Sequence, residues 1–401
     1  MTHTSPLFRA ALALVSLAHL TAPSAAIEFK FRLLSAGLDN SFEPLISGDN
    51  VIWIGTQGFE RDVYRYHIPS GTRTALTETT THLGRIDING NYAAWDNAGV
   101  FLCDLATGVT RLIHSAPVTT LGPKISEDNV VWLEGRAQDT QYRIMHYNVD
   151  TMNVQQIVGF GNRDDLRISG NDVVWDQRVG EGPTTEEVFH YSLQTGITTR
   201  LTTNAIPDSY PEVSEGNVVW QTFDTEITSE VFRRNLQTGI THRLTTNAES
   251  DRTPEISGEN IVWQGSTGFG AVSNIFHRNI TTEVTTRLTN SISHPKDNGV
   301  PRVNGLSIVW NTLLDFDGRS REIFFHDLAV GITTQVTNNF YREEFANVFG
   351  RNIVFLRERP ISTNLWDVYL ATPIPEPSVP IMISTCVMVL VFTVRCRKRT
   401  R

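Results

Sequence analysis

The sequence predicts an all-β chain, with eight four-stranded blades closed into a ring by the N-terminal strand. Three observations carry this. An apolar residue, usually followed by Ser or Asn and then Gly, precedes an aromatic residue by seven positions in eight successive units. The aromatic residues lie 42, 37, 43, 45, 43, 47 and 45 positions apart. No window shows a sustained helical period, while strand-like runs recur within each unit.

The chain opens with an address. Arg9 supplies a positive start, Ala10–Leu20 is an apolar run of 11 residues, and Ser24-Ala25-Ala26 offers small residues for cleavage. Residues 1–26 therefore read as a secretory signal, with an apolar run too short to span a bilayer. Ile27–Ser35 follows as a lone strand with no unit of its own.

The repeat proper then runs through Ile46 and Trp53, Ile88 and Trp95, Ile125 and Trp132, and Ile168 and Trp175. It continues with Val213 and Trp220, Ile256 and Trp263, Val303 and Trp310, and Val348 and Phe355. Seven of the eight tryptophans fill one slot, so they belong to the fold before any site. Around Trp263, a short strand meets a Gly258 turn and a second, wholly apolar strand, Ile261-Val262-Trp263, follows. Continuous apolar runs suit strands buried on both faces. A third strand recurs at Val188–Leu193, Val231–Leu236 and Ile323–Leu328, and Thr195-Gly196 and Thr238-Gly239 make hairpin turns. The fourth strand is Thr-rich, as in Ile197–Thr202 and Ile240–Thr245, and β-branched residues favour a pleated surface.

Units of about 40–50 residues with four strands are the pattern of β-propeller blades. The eighth unit lacks a Thr-rich fourth strand after Trp366–Leu370, and Ile27–Ser35 is expected to supply it. That makes eight blades over residues 27–371; seven is the alternative if the short second unit is degenerate.

The C-terminus has three parts: a proline-rich break at residues 372–378, an uncharged stretch at 379–394, and the basic residues 395–401. Sixteen residues make about 24 Å of helix, close to the hydrocarbon thickness. A transmembrane helix with its basic end in the cytoplasm is expected. Pro375-Glu376-Pro377, the apolar run and the Arg cluster together resemble the PEP-CTERM sorting signal of exported bacterial proteins. That resemblance implies an exosortase-like partner, removal of the tail, and passage from an inner-membrane anchor to the envelope or exterior. The usual Gly- and Leu-rich segment is Val-, Ile- and Met-rich here, so a plain anchor stays open.

Between its two ends, the body (27–377) holds 28 basic and 43 acidic residues. Such a balance argues against nucleic acid as a partner. Cys103 is the body's one cysteine, so it has no internal disulfide. The run Arg200–Asn204, followed by Pro211-Glu212-Val213-Ser214 and Val218-Val219-Trp220, resembles a TolB-type or WD40-like propeller repeat. That likeness specifies fold far more than function.

No nucleophile elbow, zinc-protease motif or phosphate loop is present. The loops entering each blade carry Asp39, Asp164, Asp165, Asp208, Asp251 and Asp297. They are expected either to cap their own turns or to ring one channel mouth as a cation or polar-ligand site, with Asp39, Asp208, Asp251 and Asp297 as candidates. Asp315-Phe316-Asp317-Gly318, near Glu322, matches a fragment of a calcium loop and is otherwise a polar turn. No other cofactor is expected. Histidines on third strands, His146 and His277 among them, are expected at exposed positions. The expected function is an exported module that binds a glycan or protein, without catalysis. A polysaccharide-acting enzyme and a TolB-like envelope partner are the alternatives.

Overall fold

The computed structural model describes residues 26–375 apart from residues 79–82, 116–118, 136–140, 181–185, 224–227, 248, 267–271, 292–296, 316–319 and 361–363. The signal segment, Glu376, Pro377, the apolar stretch and the basic tail lie outside the described residues. Eight antiparallel sheets follow one another along the chain. First strands of neighbouring blades touch in a closed cycle, blade 8 returning to blade 1. They therefore line the centre, and the fourth strands form the outside. The second unit is a full blade, with strands Ile86–Asn89, Tyr92–Asp96, Val100–Asp104 and Val109–His114. Its shortness comes from a tight turn at Asn97–Gly99, with Ala98 at φ 49°.

Each blade interface is one apolar cluster. In the blade 4–5 interface, Val174 and Val188 meet Val213, Val218 and Trp220. The anchors Trp53, Trp95, Trp132, Trp175, Trp220, Trp263 and Trp310 are all buried. Most stack on an aromatic ring of the third strand, as Trp263 does on Phe276 at 5.7 Å and Phe355 on Tyr369 at 5.9 Å. The buried second strand, with an indole on one face and Val or Ile on the other, explains why the apolar run is continuous.

The ring closes as expected. Phe29–Leu33 runs antiparallel to Trp366–Pro373, in a register from Phe29 opposite Pro373 to Leu33 opposite Tyr369. Leu34 N then donates to Val368 O at 2.9 Å. Blade 7 departs from the pattern. Its first strand splits into Asp297–Asn298 and Arg302–Asn304.

The third-strand histidines correct the expectation of exposure. His146 and His277 are buried, with Nε2 within 2.8 and 2.9 Å of Asn129 and Asn260 Oδ1. Burial lowers both to a pKa of about 4, so they stay neutral.

Candidate ligand-binding face

A polar network repeats at one end of the blades, where fourth strands cross to the next first strand. Twelve residues before each anchor lies a buried side chain: Ser41, Leu83, Thr120, Arg163, Asp208, Asp251, Asn298 and Glu343. Asp208 accepts Trp220 Nε1 at 3.1 Å and Asn204 Nδ2 at 2.7 Å. Asp251 accepts Trp263 Nε1 at 2.9 Å and Asn247 Nδ2 at 3.0 Å. In blade 7 the same link passes through a hydroxyl: Trp310 Nε1 donates to Thr312 Oγ1, which donates to Asn298 Oδ1 at 2.8 Å. At the end of the fourth strand a threonine accepts the third strand's N–H, as Thr202 does from Val188 and Thr245 from Val231, both at 2.9 Å. Ser35 fills this role in the closing strand, accepting Val368 N at 3.0 Å and donating to Asp367 at 2.9 Å.

This network places the sequence candidates. Asp208 and Asp251 are fully buried and spent on their own blades; they do not ring the channel mouth. Burial raises both carboxyls, Asp251 to a pKa of about 7. Asp39 is exposed and accepts Gly58 N at 2.6 Å, while half-buried Asp297 accepts Ser273 N at 3.0 Å. Asp164 accepts Asp165 N at 3.0 Å. Asp315 accepts Ser320 N at 2.9 Å; Asp317 lies outside the described residues. Glu322 is buried in the network, accepting Asn339 N at 2.8 Å. Among the described residues, no group of three or more His, Cys, Asp or Glu side chains is placed to hold a metal ion.

Chemistry not visible as a motif gathers on the first strands. Each carries a bulge in at least six blades, and its residue has positive φ: Glu43, Gly122, Asp165, Tyr210, Thr253 and Phe345. An aromatic or β-branched side chain there is strained. Neighbouring blades hold the strain. Thr253 N donates to Gln221 Oε1 at 2.9 Å, and Tyr210 N to Asp176 Oδ2 at 3.3 Å. Two residues on, the strands carry Asp87, Lys124, Arg167, Glu212, Glu255 and Arg302 in blades 2–7. Arg167 pairs with Glu212 at 2.6 Å, and Arg302 pairs with Glu255. Arg302 also feels Glu212 and Arg167 from blades 5 and 4, so these charges share the central channel.

Two cavities of about 280 Å³ open at this end. One, at blades 7–8, is lined by Gly299, Val300, Arg302, Asn311, Arg321, Glu344, Phe345 and Ala346. A Cβ on Gly299 would come within 1.8 Å of Asn311 Oδ1, so only glycine leaves this wall open. The other, at blades 3–4, is lined by Tyr142, Asn162, Arg163, Asp164, Asp176, Gln177, Arg178 and Glu186. Burial raises Asp176 to a pKa of about 7, with repulsion from Asp165, Glu186 and Asp164 adding to it.

A folded value above the ordinary 3.8 means that the protonated form favours the fold. Its contribution is fully present below about pH 4 and is lost as pH rises through about 7. The neutral variant Asp176→Asn should therefore gain melting temperature relative to wild type as pH goes from 4 to 8. Paired melts measure the difference, and a pH-independent difference contradicts this environment for Asp176.

No protein-family model and no curated protein matches the chain. Solved structures do align. A prolyl endopeptidase matches with TM-score 0.57 and 12% identity over 81% of this chain and 55% of that one. This chain thus spans about half that enzyme's length. The β-propeller domain of the Trilobed protease from Pyrococcus furiosus matches with TM-score 0.53 and 10% identity over 87% and 99% of the two chains. An oligogalacturonate lyase from Vibrio parahaemolyticus matches with TM-score 0.50 and 10% identity over 88% and 99%. TolB from Acinetobacter baumannii aligns more loosely, with TM-score 0.40 and 13% identity over 70% and 77%.

These likenesses show the propeller fold alone. They also correct the expectation of a module without catalysis. The aligned structures are mainly enzymes, among them an acylaminoacyl peptidase and a puromycin hydrolase, so the fold gives no ground for excluding an activity.

Proposed function

We propose that this chain is an exported β-propeller that binds glycan at the channel mouth between blades 7 and 8. In this reading its PEP-CTERM-type tail carries it from the inner membrane to the cell envelope or exterior. The observation that carries the binding reading is Phe345. This ring sits at φ 53° in the cavity wall, 65% exposed beside half-exposed Val300. Arg321, Asn311 and Glu344 bring polar groups to the same cavity, Glu344 pairing with Arg342 at 2.8 Å and Arg321 at 3.5 Å. A sugar ring has an apolar C–H face to stack on an aromatic ring and rim hydroxyls to bond such groups. Phe340 at 95% exposure and Tyr341 at 36% lie in the segment just before the strand that carries Phe345. The acidic body accords with a neutral or sparsely charged glycan rather than a polyanion.

Export and sorting are supported by the apolar run Ala10–Leu20, by Pro375-Glu376-Pro377, and by the apolar and basic tail. A second reading, an enzyme acting on polysaccharide, is favoured by Asp176, which holds a proton near neutrality beside Arg163.

One preparation tests the proposal. Protein purified from its own host should lack residues 379–401 by intact mass, and should bind a defined set of glycans on an array. Phe345→Ala should reduce that binding at least tenfold while melting like wild type. Release of new reducing ends from the bound glycan is the sign of the second reading. An array with no bound glycan, or a Phe345→Ala variant that binds unchanged, refutes the glycan site; an intact tail refutes the sorting.

A further inference from the structure

The repeat breaks at one position of blade 4. The slot twelve residues before the anchor holds Asp208 and Asp251 in blades 5 and 6, where they accept the indole N–H. In blade 4 it holds Arg163, which can only donate. Trp175 Nε1 turns instead to Gln177 Oε1 at 3.2 Å, and the guanidinium lies over the Trp175 ring, 5.6 Å from its centroid.

Arg163 is only 5% exposed, yet Nε and Nη1 have no hydrogen-bond partner among the described residues. The nearby carboxylates are engaged elsewhere. Glu186 takes Arg178 at 3.0 Å, Asp164 takes Asp165 N, and Asp176 takes Tyr210 N. A buried cation without a bonded counter-charge is costly, and such a group calls for an anion. Burial alone accounts for the fall of its pKa to about 10, with no carboxylate raising it. The guanidinium borders a cavity of about 280 Å³, room for a small ligand. Gly161 packs beside the guanidinium: a Cβ there would lie 2.5 Å from Arg163 Nη2.

We infer that the cavity between blades 3 and 4 is an oxyanion site, in which Arg163 receives a carboxylate or phosphate group of a small polar ligand. This site is separate from the glycan site at blades 7–8 and stands without it. Asp164 and Asp176 in the walls favour a single charge over a polyanion, and Tyr142 and Gln177 can hold hydroxyls beside it.

The test is calorimetric titration of the full-length chain with glucuronate, with inorganic phosphate, and with glucose as the neutral control. At least one of the two anions should bind at least tenfold more tightly than glucose. Binding of glucuronate alone identifies a carboxylate, and of phosphate alone a phosphate.

Arg163→Asp installs the side chain that blades 5 and 6 use. It removes the cation and should lose anion binding at least tenfold. Arg163→Asn, matching Asn298 of blade 7, is the second variant should the first fail to fold. Either folded variant binding as wild type does, or a wild type that binds neither anion better than glucose, overturns the inference.

Discussion

Replacing Trp263 with alanine is expected to cost about 3–5 kcal/mol, the range for emptying a buried aromatic site. The indole is buried between Phe276 and the blade 5–6 cluster of Val219, Val231 and Ile261. Its removal also strips Asp251 of the 2.9 Å Nε1 donor inside a buried network, which adds the cost of an unsatisfied polar group. Trp263→Phe separates the two parts, because it keeps most of the ring and loses only the hydrogen bond; it should cost about 1–3 kcal/mol. Denaturant unfolding of both variants measures the split. A Trp263→Ala protein as stable as wild type would show that the anchor belongs to a site rather than to the fold.

Deleting residues 27–36 should be at least as damaging. This segment supplies five paired positions of blade 8, Phe29 to Leu33, and seals the ring through Leu34 and Ser35. Leu34 is buried in the blade 8–1 cluster with Trp53, Val368 and Leu370, and its loss alone is worth about 2–5 kcal/mol. A blade cannot bury its faces alone, so opening one seam exposes two blade faces and weakens the ring. The truncated chain should melt far below the intact one. An unchanged melt would mean that the ring closes without this strand.

The fold was legible because one signal repeats eight times. Local ambiguity about any single apolar run disappears when Trp53, Trp95, Trp132 and their successors keep the same seven-residue offset. The closing strand was legible by elimination, since unit eight lacked a partner and Ile27–Ser35 lacked a unit.

The direction of the aspartates was not legible. Asp208 and Asp251 stand in blade-entry loops whether they face a channel or an indole, and the tertiary register decides which. A signal was nevertheless present: each lies twelve residues before a tryptophan and four after an asparagine. Arg163 was readable the same way, as the cation in a slot otherwise neutral or acidic. Phe345 was hidden because its exposure depends on a bulge, and a bulge leaves no mark in apolar periodicity. Catalysis could not be excluded from spacing at all, because blade repeats encode packing and not chemistry.

The central claim is that ligand meets the end of the channel where blade-joining loops enter the first strands, at blades 7–8. Hydrogen exchange of the full-length chain, with and without a glycan that it binds, tests this most directly. Slowed exchange should be confined to residues 299–302 and 342–346. Slowed exchange instead in the opposite-end turns at 195–196 and 238–239, with 342–346 unchanged, would contradict the claim.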